Sequence, residues 1–187
     1  MELKQAIYHR RSVRKYTDQA VESAAVHELI RAAIQAPSAM NQQPWAFGVI
    51  HGRKRLRGYS DRVKAHLLGL TSTDAALHLK GNELLSDPDY NIFYDASTLI
   101  VIYASPARLN PAEDCCLAAQ NLMLMAHGLG LGTCPIGFAR PWLNMPEIKQ
   151  ELEVPLEHTA IFPVIVGFPA GKPEPVPRLE PVVLSWT

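Results

Sequence analysis

The stretch Ser97-Thr-Leu-Ile-Val-Ile-Tyr-Ala104 limits the fold more than any other part of the chain. Its β-branched apolar residues run on without the polar alternation of a half-solvated strand, so it reads as a strand buried on both faces. Such a strand needs a covering layer on either side of its sheet. The segment 110–128 supplies one. Asn110 and Pro111 open a helix there, Glu113 and Asp114 occupy its first turn, where acidic groups are favoured, and Gly128 can close it. Leu117, Ala118, Leu122, Leu124 and Met125 spread apolar surface almost all round this helix, which marks it as central.

The remaining elements arrange themselves around that pair. Residues 2–9 predict a short helix, 12–16 an extended link, and Thr17 and Asp18 a turn. Val26, Leu29, Ile30, Ala33 and Ile34 recur at helical spacing within 21–36, and Pro37 ends the pattern. The polar, proline-bracketed loop 37–44 precedes a strand over 45–51 and a basic helix from Arg53 to about Leu70. Residues 71–94 predict a loop with weak helix, 133–138 a short strand or loop, 145–152 a helix and 159–168 a strand. Five prolines, at 169, 173, 175, 177 and 181, keep the tail extended. Strands interspersed with helices give an α+β class. A chain of 187 residues, 48% of them apolar, with no repeat or linker, predicts one domain over 1–187.

Composition excludes more than it identifies. Eighteen Lys and Arg against eighteen Asp and Glu leave no global field for nucleic acid or an anionic membrane, so any anion site must be local. The polar N-terminus does not read as a secretory signal, and no run reaches membrane-spanning length. Cys115, Cys116 and Cys134 form no Cys-x-x-Cys pair, and the histidines lack metal-ligand spacing, so no metal is expected and a reducing cytoplasm fits. Cys115 and Cys116 read as core residues, and Trp45, Trp142 and Trp186 as packing residues. Gly128-Leu-Gly-Leu-Gly132 closes a helix instead of opening one, so it reads as a helix stop and not a dinucleotide loop.

The local candidate is Arg10-Arg11-Ser12-Val13-Arg14. In an extended segment Arg10, Ser12 and Arg14 share one side, with Arg11 and Val13 on the other. Two guanidiniums and a hydroxyl converging in this way suit a terminal phosphate, which arginine binds bidentately. Taken alone, the segment reads more readily as a basic solvated surface or an internal salt-bridge cluster. Asn41 and Gln43, in the loop 37–44, offer amides that pair a donor with an acceptor, as a heterocyclic edge requires. They could also serve only to satisfy backbone groups in a turn.

His9-Arg-Arg-Ser-Val-Arg-Lys-Tyr16 resembles the opening motif of the nitroreductase family. Ala36-Pro-Ser-Ala-Met-Asn-Gln-Gln-Pro-Trp-Ala-Phe47 is similar to that family's second motif, at the expected distance. Residues 113–138 resemble its central helix and following strand, and Gly167-Phe-Pro-Ala-Gly171 its closing Gly-Tyr-Pro. The resemblance weakens over 53–94.

The resemblance implies a mostly antiparallel sheet of about five strands, one lent by a partner's tail, in an intertwined homodimer with FMN between the subunits. Arg10, Arg11, Ser12 and Arg14 would hold the phosphate, completed by Arg178 or, as the weaker alternative, Lys172. Pro37, Ser38, Ala39, Asn41 and Gln43 would line the ring, with Ala39 where the family commonly has a second serine. Pro135, Ile136 and Gly137 would pass a backbone N–H close to the flavin N5, where glycine permits close approach. The implied reaction carries hydride from NAD(P)H through FMN to a nitroaromatic, a quinone or a similar small acceptor, with no side-chain catalyst. Reductive dehalogenation, flavin fragmentation and non-enzymatic flavin sequestration stand as alternatives.

Overall fold

The computed structural model describes residues 2–69, 83–106 and 109–187. In chain order the elements are α1 (Leu3–His9), α2 (Ser23–Ala33), β1 (Trp45–His51), α3 (Arg53–Gly69), β2 (Thr98–Ala104) and α4 (Pro111–Gly128). β3 (Gly132–Pro135), α5 (Ala139–Leu143), α6 (Pro146–Glu151) and β4 (Thr159–Gly167) follow. The strands form one sheet in the order β1-β2-β4-β3, and every neighbouring pair is antiparallel. The α+β class is thus met, with four strands among the described residues of a single chain.

All seven residues of β2 are buried. Leu99, Val101 and Tyr103 enter one core with Leu56 and Val63 of α3 and Trp142 of α5. Ile100, Ile102 and Ala104 enter a second core with Leu29 of α2 and with Cys115, Ala118 and Leu122 of α4. Each fully buried aliphatic side chain contributes about 2 kcal/mol, so this strand anchors both layers. In β4 the register slips between Ile102 and Tyr103, and Ile161 is the extra residue. The bulge keeps Ala160 and Ile165 in the first core while Ile161, Val164 and Val166 face the second.

Several expectations need correction. α2 is shorter than 21–36. Gln35 and Ala36 donate to Ala32 and Ala33 in tighter i→i−3 bonds, and Pro37 bars its predecessor from helical geometry. At the other end, Val21 precedes the capping Glu22 and shares the second core with Val26, a hydrophobic staple outside the helix. The short helix α5 lies where the strand or loop over 133–138 gives out. Cys116 is exposed although Cys115 is fully buried, and Trp186 is 91% exposed and packs on nothing in its own chain. Residues 71–82 of the predicted loop 71–94 lie outside the described residues, as does Leu70. Among the described residues no helix is long and apolar enough to cross a membrane, and no cluster suits a metal ion.

Candidate functional site

The arginine segment does not hang free. Ser12 bridges Thr133 of β3 in parallel, and the Val13 N–H donates to the Thr133 carbonyl at 2.9 Å. Beyond β4, Thr17 donates to Phe168 and Ala170 donates to Lys15, both at 2.9 Å. Two glycines allow this approach. A Cβ on Gly132 would lie 2.7 Å from Val13 Cγ2, and one on Gly167 would lie 2.7 Å from Tyr16 Cδ1. Val13 and Tyr16 are buried, and the Tyr16 hydroxyl donates to the Val13 carbonyl at 2.7 Å. The segment is therefore fixed by its inward residues, which leaves the alternate ones to face outward.

Burial pushes the Cys134 thiol up from its ordinary pKa, while Arg14, Ser12 and Arg10 pull the other way. Arg10 and Arg11 border one hollow and Arg11, Ser12 and Arg14 the next, so strict alternation does not part Arg11 from the others. Arg11 turns back, donating to the Tyr8 carbonyl at 2.7 Å and the Arg10 carbonyl at 2.8 Å, where it caps the end of α1. Burial holds the Arg10 guanidinium below its ordinary pKa, and the neighbouring charges of Arg178 and Arg11 add to this. Arg178 lies near enough for its charge to bear on Arg10 but lines neither hollow beside the arginine segment, whereas Lys172 lines both. Among the described residues no carboxylate pairs with Arg10, Arg11, Arg14 or Arg178.

The groove follows β3. At its first end a cavity of about 610 Å³ takes in Arg10, Gly132, Thr133 and Lys172. A second hollow of about 460 Å³ is lined by Arg11, Ser12 and Arg14 and by the start of the tail, including Lys172 and Glu174. At the far end a cavity of about 310 Å³ takes in Arg14, Cys134, Pro135, Ile136 and Gly137. The Ile136 N–H is committed to the Pro163 carbonyl at 2.9 Å. Gly137 has no such backbone partner, and a Cβ there would meet nothing within 4 Å. Space around Gly137 within the chain is open, so no close approach inside one subunit requires this glycine.

The loop 37–44 is elsewhere. It leads into β1, at the opposite edge of the sheet from β3, about 14 Å away at the usual spacing of strands. A single turn of 3-10 helix, Ala39–Asn41, carries it, and Met40, Asn41 and Gln43 all hold positive φ. Internal bonds support that geometry. Gln43 N–H donates to Ser38 Oγ at 2.9 Å, and Gln43 Nε2 donates to Asn41 Oδ1 at 3.1 Å. The Ala39 N–H donates to both oxygens of the buried Asp114 carboxylate, each at 3.2 Å. Asp114 was expected only to favour the start of a helix; its tie to Ala39, 75 residues away, carried no sequence signal. Pro37, Ser38, Ala39, Asn41 and Gln43 therefore form one rigid group and the arginines another, and a single chain does not bring the two together.

The sequence model of the nitroreductase family matches residues 7–168. An NADH dehydrogenase of Thermus thermophilus is 29% identical, over 98% of this chain and 96% of its own. The NAD(P)H-type FMN reductase of Bacillus subtilis is 26% identical, over 95% of this chain and 70% of its own. A crystal structure of a nitroreductase with bound FMN from Bacteroides fragilis is similar with a TM-score of 0.80 at 26% identity, covering 98% of this chain and 96% of that one.

Proposed function

The chain belongs to the nitroreductase family, and on that premise we propose that it is an FMN-dependent NAD(P)H oxidoreductase working as a homodimer. The observation that carries this reading is the set of arginines beside β3 that form no ion pair among the described residues, although Glu174 borders the same hollow. Arg10 is crowded by Arg178 and Arg11 and partly desolvated, an arrangement that repels itself until an anion arrives. A phosphate dianion with several acceptor oxygens supplies what Arg10, Ser12 and Arg178 lack. Arg14 and the uncommitted Gly137 N–H then serve the ring at the other end of the groove. Arg11, turned onto α1, contributes charge more than contact.

Bound FMN would supply two-electron chemistry between NAD(P)H and a nitroaromatic, a quinone or another small acceptor. The chain's own residues bind and orient. Arg10, Ser12 and Arg178 fix the phosphate, and Arg14 places positive charge near the ring. The second copy would bring its own Pro37–Gln43 group to this groove, with Asn41 and Ser38 facing the ring. Leu3, Ile7 and Tyr8 on α1, Leu117 on α4, and Leu179, Leu184 and Trp186 in the tail are exposed in one chain, surface that a second copy would cover.

A visible spectrum of the purified protein, followed by anaerobic stopped-flow mixing with NADH or NADPH, tests the reading. A flavin band bleached by either nucleotide and restored by a quinone is expected. A colourless protein that takes up no FMN overturns the assignment, and a flavin that neither nucleotide reduces leaves only a flavin-binding protein. Light scattering checks the dimer.

A further inference from the structure

One wall of the far cavity is unexplained by the arginines or by the turn after β3. Tyr90 and Tyr94 face it, their hydroxyls 3.1 Å apart and their rings edge to face at 5.9 Å. The Arg14 guanidinium sits 5.8 Å from the centre of the Tyr94 ring, within range of a cation–π contact.

The backbone beneath this pair is costly and firmly held. Tyr94 and Asp95 both adopt left-handed φ, at 51° and 57°, which side-chain-bearing residues avoid. Asn91 clasps the turn from within, accepting from the Phe93 N–H at 3.0 Å and donating to Asp95 Oδ1 at 2.8 Å. Ser60 of α3 accepts from the Ile92 N–H at 3.0 Å. Lys64, only 7% exposed, donates to the carbonyls of Asp87, Pro88 and Tyr90, the last at 2.8 Å. A buried lysine spent on three carbonyls and two consecutive strained residues would be an expensive way to build an ordinary surface turn. What they achieve is the fixed placement of two hydroxyls opposite Pro135–Gly137.

In such a pair one hydroxyl donates to the other, and the second hydrogen is left for a third group. Burial pushes the Tyr90 hydroxyl well above the ordinary tyrosine range, so it stays protonated and able to donate throughout the working pH range. Arg14 adds a positive charge beside it. We propose that Tyr90, Tyr94 and Arg14 form a binding site for an electron-rich oxygen of carbonyl or nitro type, with Tyr94 also acting as a positioning residue for the Arg14 guanidinium. The assignment rests on the flavin reading above. The oxygen has two sources, a pyrimidine carbonyl of the flavin or the oxygen of the acceptor.

The test uses the holoprotein and the variants Tyr90→Phe and Tyr94→Phe, which keep both rings. FMN affinity, the visible spectrum and the reduction potential of the bound flavin report on a flavin carbonyl. The KM and kcat for p-benzoquinone and nitrobenzoate report on the acceptor. A shifted flavin band with FMN affinity lowered about fivefold to tenfold, the loss expected from one hydrogen bond, places the oxygen on the flavin. An unchanged spectrum with acceptor KM raised by a similar factor and kcat preserved places it on the acceptor. Both results support the site. Variants that match the parent protein in spectrum, potential, FMN affinity and both KM values overturn it. A parent chain that takes up no FMN at all overturns the functional reading itself.

Discussion

The cations of α3 and those of the segment 10–14 are the same residue types put to opposite uses. On α3, Arg62 grips Glu151 through two hydrogen bonds, at 2.8 and 2.6 Å, and lies over the rings of Tyr59 and Trp142. Arg53 pairs with Asp18, Arg57 reaches the Pro88 and Asp89 carbonyls, and Lys64 holds three carbonyls. Near β3, Arg10, Arg14 and Arg178 form no ion pair among the described residues, and Arg10 has like charge beside it. Charge by itself marks neither region. The satisfied set ties an element down, whereas the set without ion pairs is the proposed site.

Charge reversal breaks the comparison most sharply. Arg10→Glu should lower FMN affinity by about a thousandfold or more, since it removes a charged donor and adds a repulsive group, with thermal stability nearly unchanged. Arg62→Glu should do the reverse, costing stability against Glu151 and leaving FMN affinity alone. Fluorescence titration beside calorimetry of both variants separates the two behaviours, and equal flavin loss in both would erase the distinction.

A glycine pair probes the packing beneath the charges. Gly132→Ala forces Val13 and its strand neighbour apart, at a cost of about 1–3 kcal/mol. FMN affinity should fall with it, because Arg10 and Arg14 flank Val13 and Ser12. Gly58→Ala, in the body of α3 where a Cβ meets nothing, should instead add up to about 1 kcal/mol and leave the flavin unaffected. Asp114→Asn reaches the other half of the proposed site. It weakens the hold on Ala39 and should lower FMN affinity severalfold through the loop 37–44, without any contact to the arginines.

The smallest effect concerns pH. The hydrogen bond from Arg62, with its charge, holds the Glu151 carboxyl below its ordinary value. A group depressed in the folded state contributes stability above its unfolded pKa and loses it as pH falls through the folded one. Glu151→Gln should therefore melt slightly lower than the parent at neutral pH, with the difference shrinking as pH falls below the ordinary glutamate value of about 4.3. Glu151 is largely exposed, so screening keeps the effect small.

The sequence was most readable where one local rule dominates. The apolar run 97–104 marked a central strand buried on both faces, whereas alternation in 10–14 did not foresee that Arg11 would border the same hollows as Arg10, Ser12 and Arg14. Contacts between distant segments left no such trace. Gly132 read as part of a helix stop and Gly167 as part of a family motif, but both let the arginine segment lie against the sheet. Asp114 gave no hint that it would hold the loop 37–44. Tyr90 and Tyr94 fell in the stretch where the family resemblance was weakest, and the left-handed turn that presents them contains no glycine to announce it. The loop and the arginines looked like one site in the sequence, yet a single chain keeps them at opposite edges of its sheet.

Titration of the apoprotein with FMN and with riboflavin, in the parent chain and in Arg10→Ala/Arg178→Ala, tests most directly whether these arginines are a phosphate site. The parent should bind FMN at least about a hundredfold more tightly than riboflavin, which lacks the phosphate. In the double variant, still folded, that preference should collapse toward unity. A double variant that keeps stoichiometric FMN and the parent's preference for it would contradict the account.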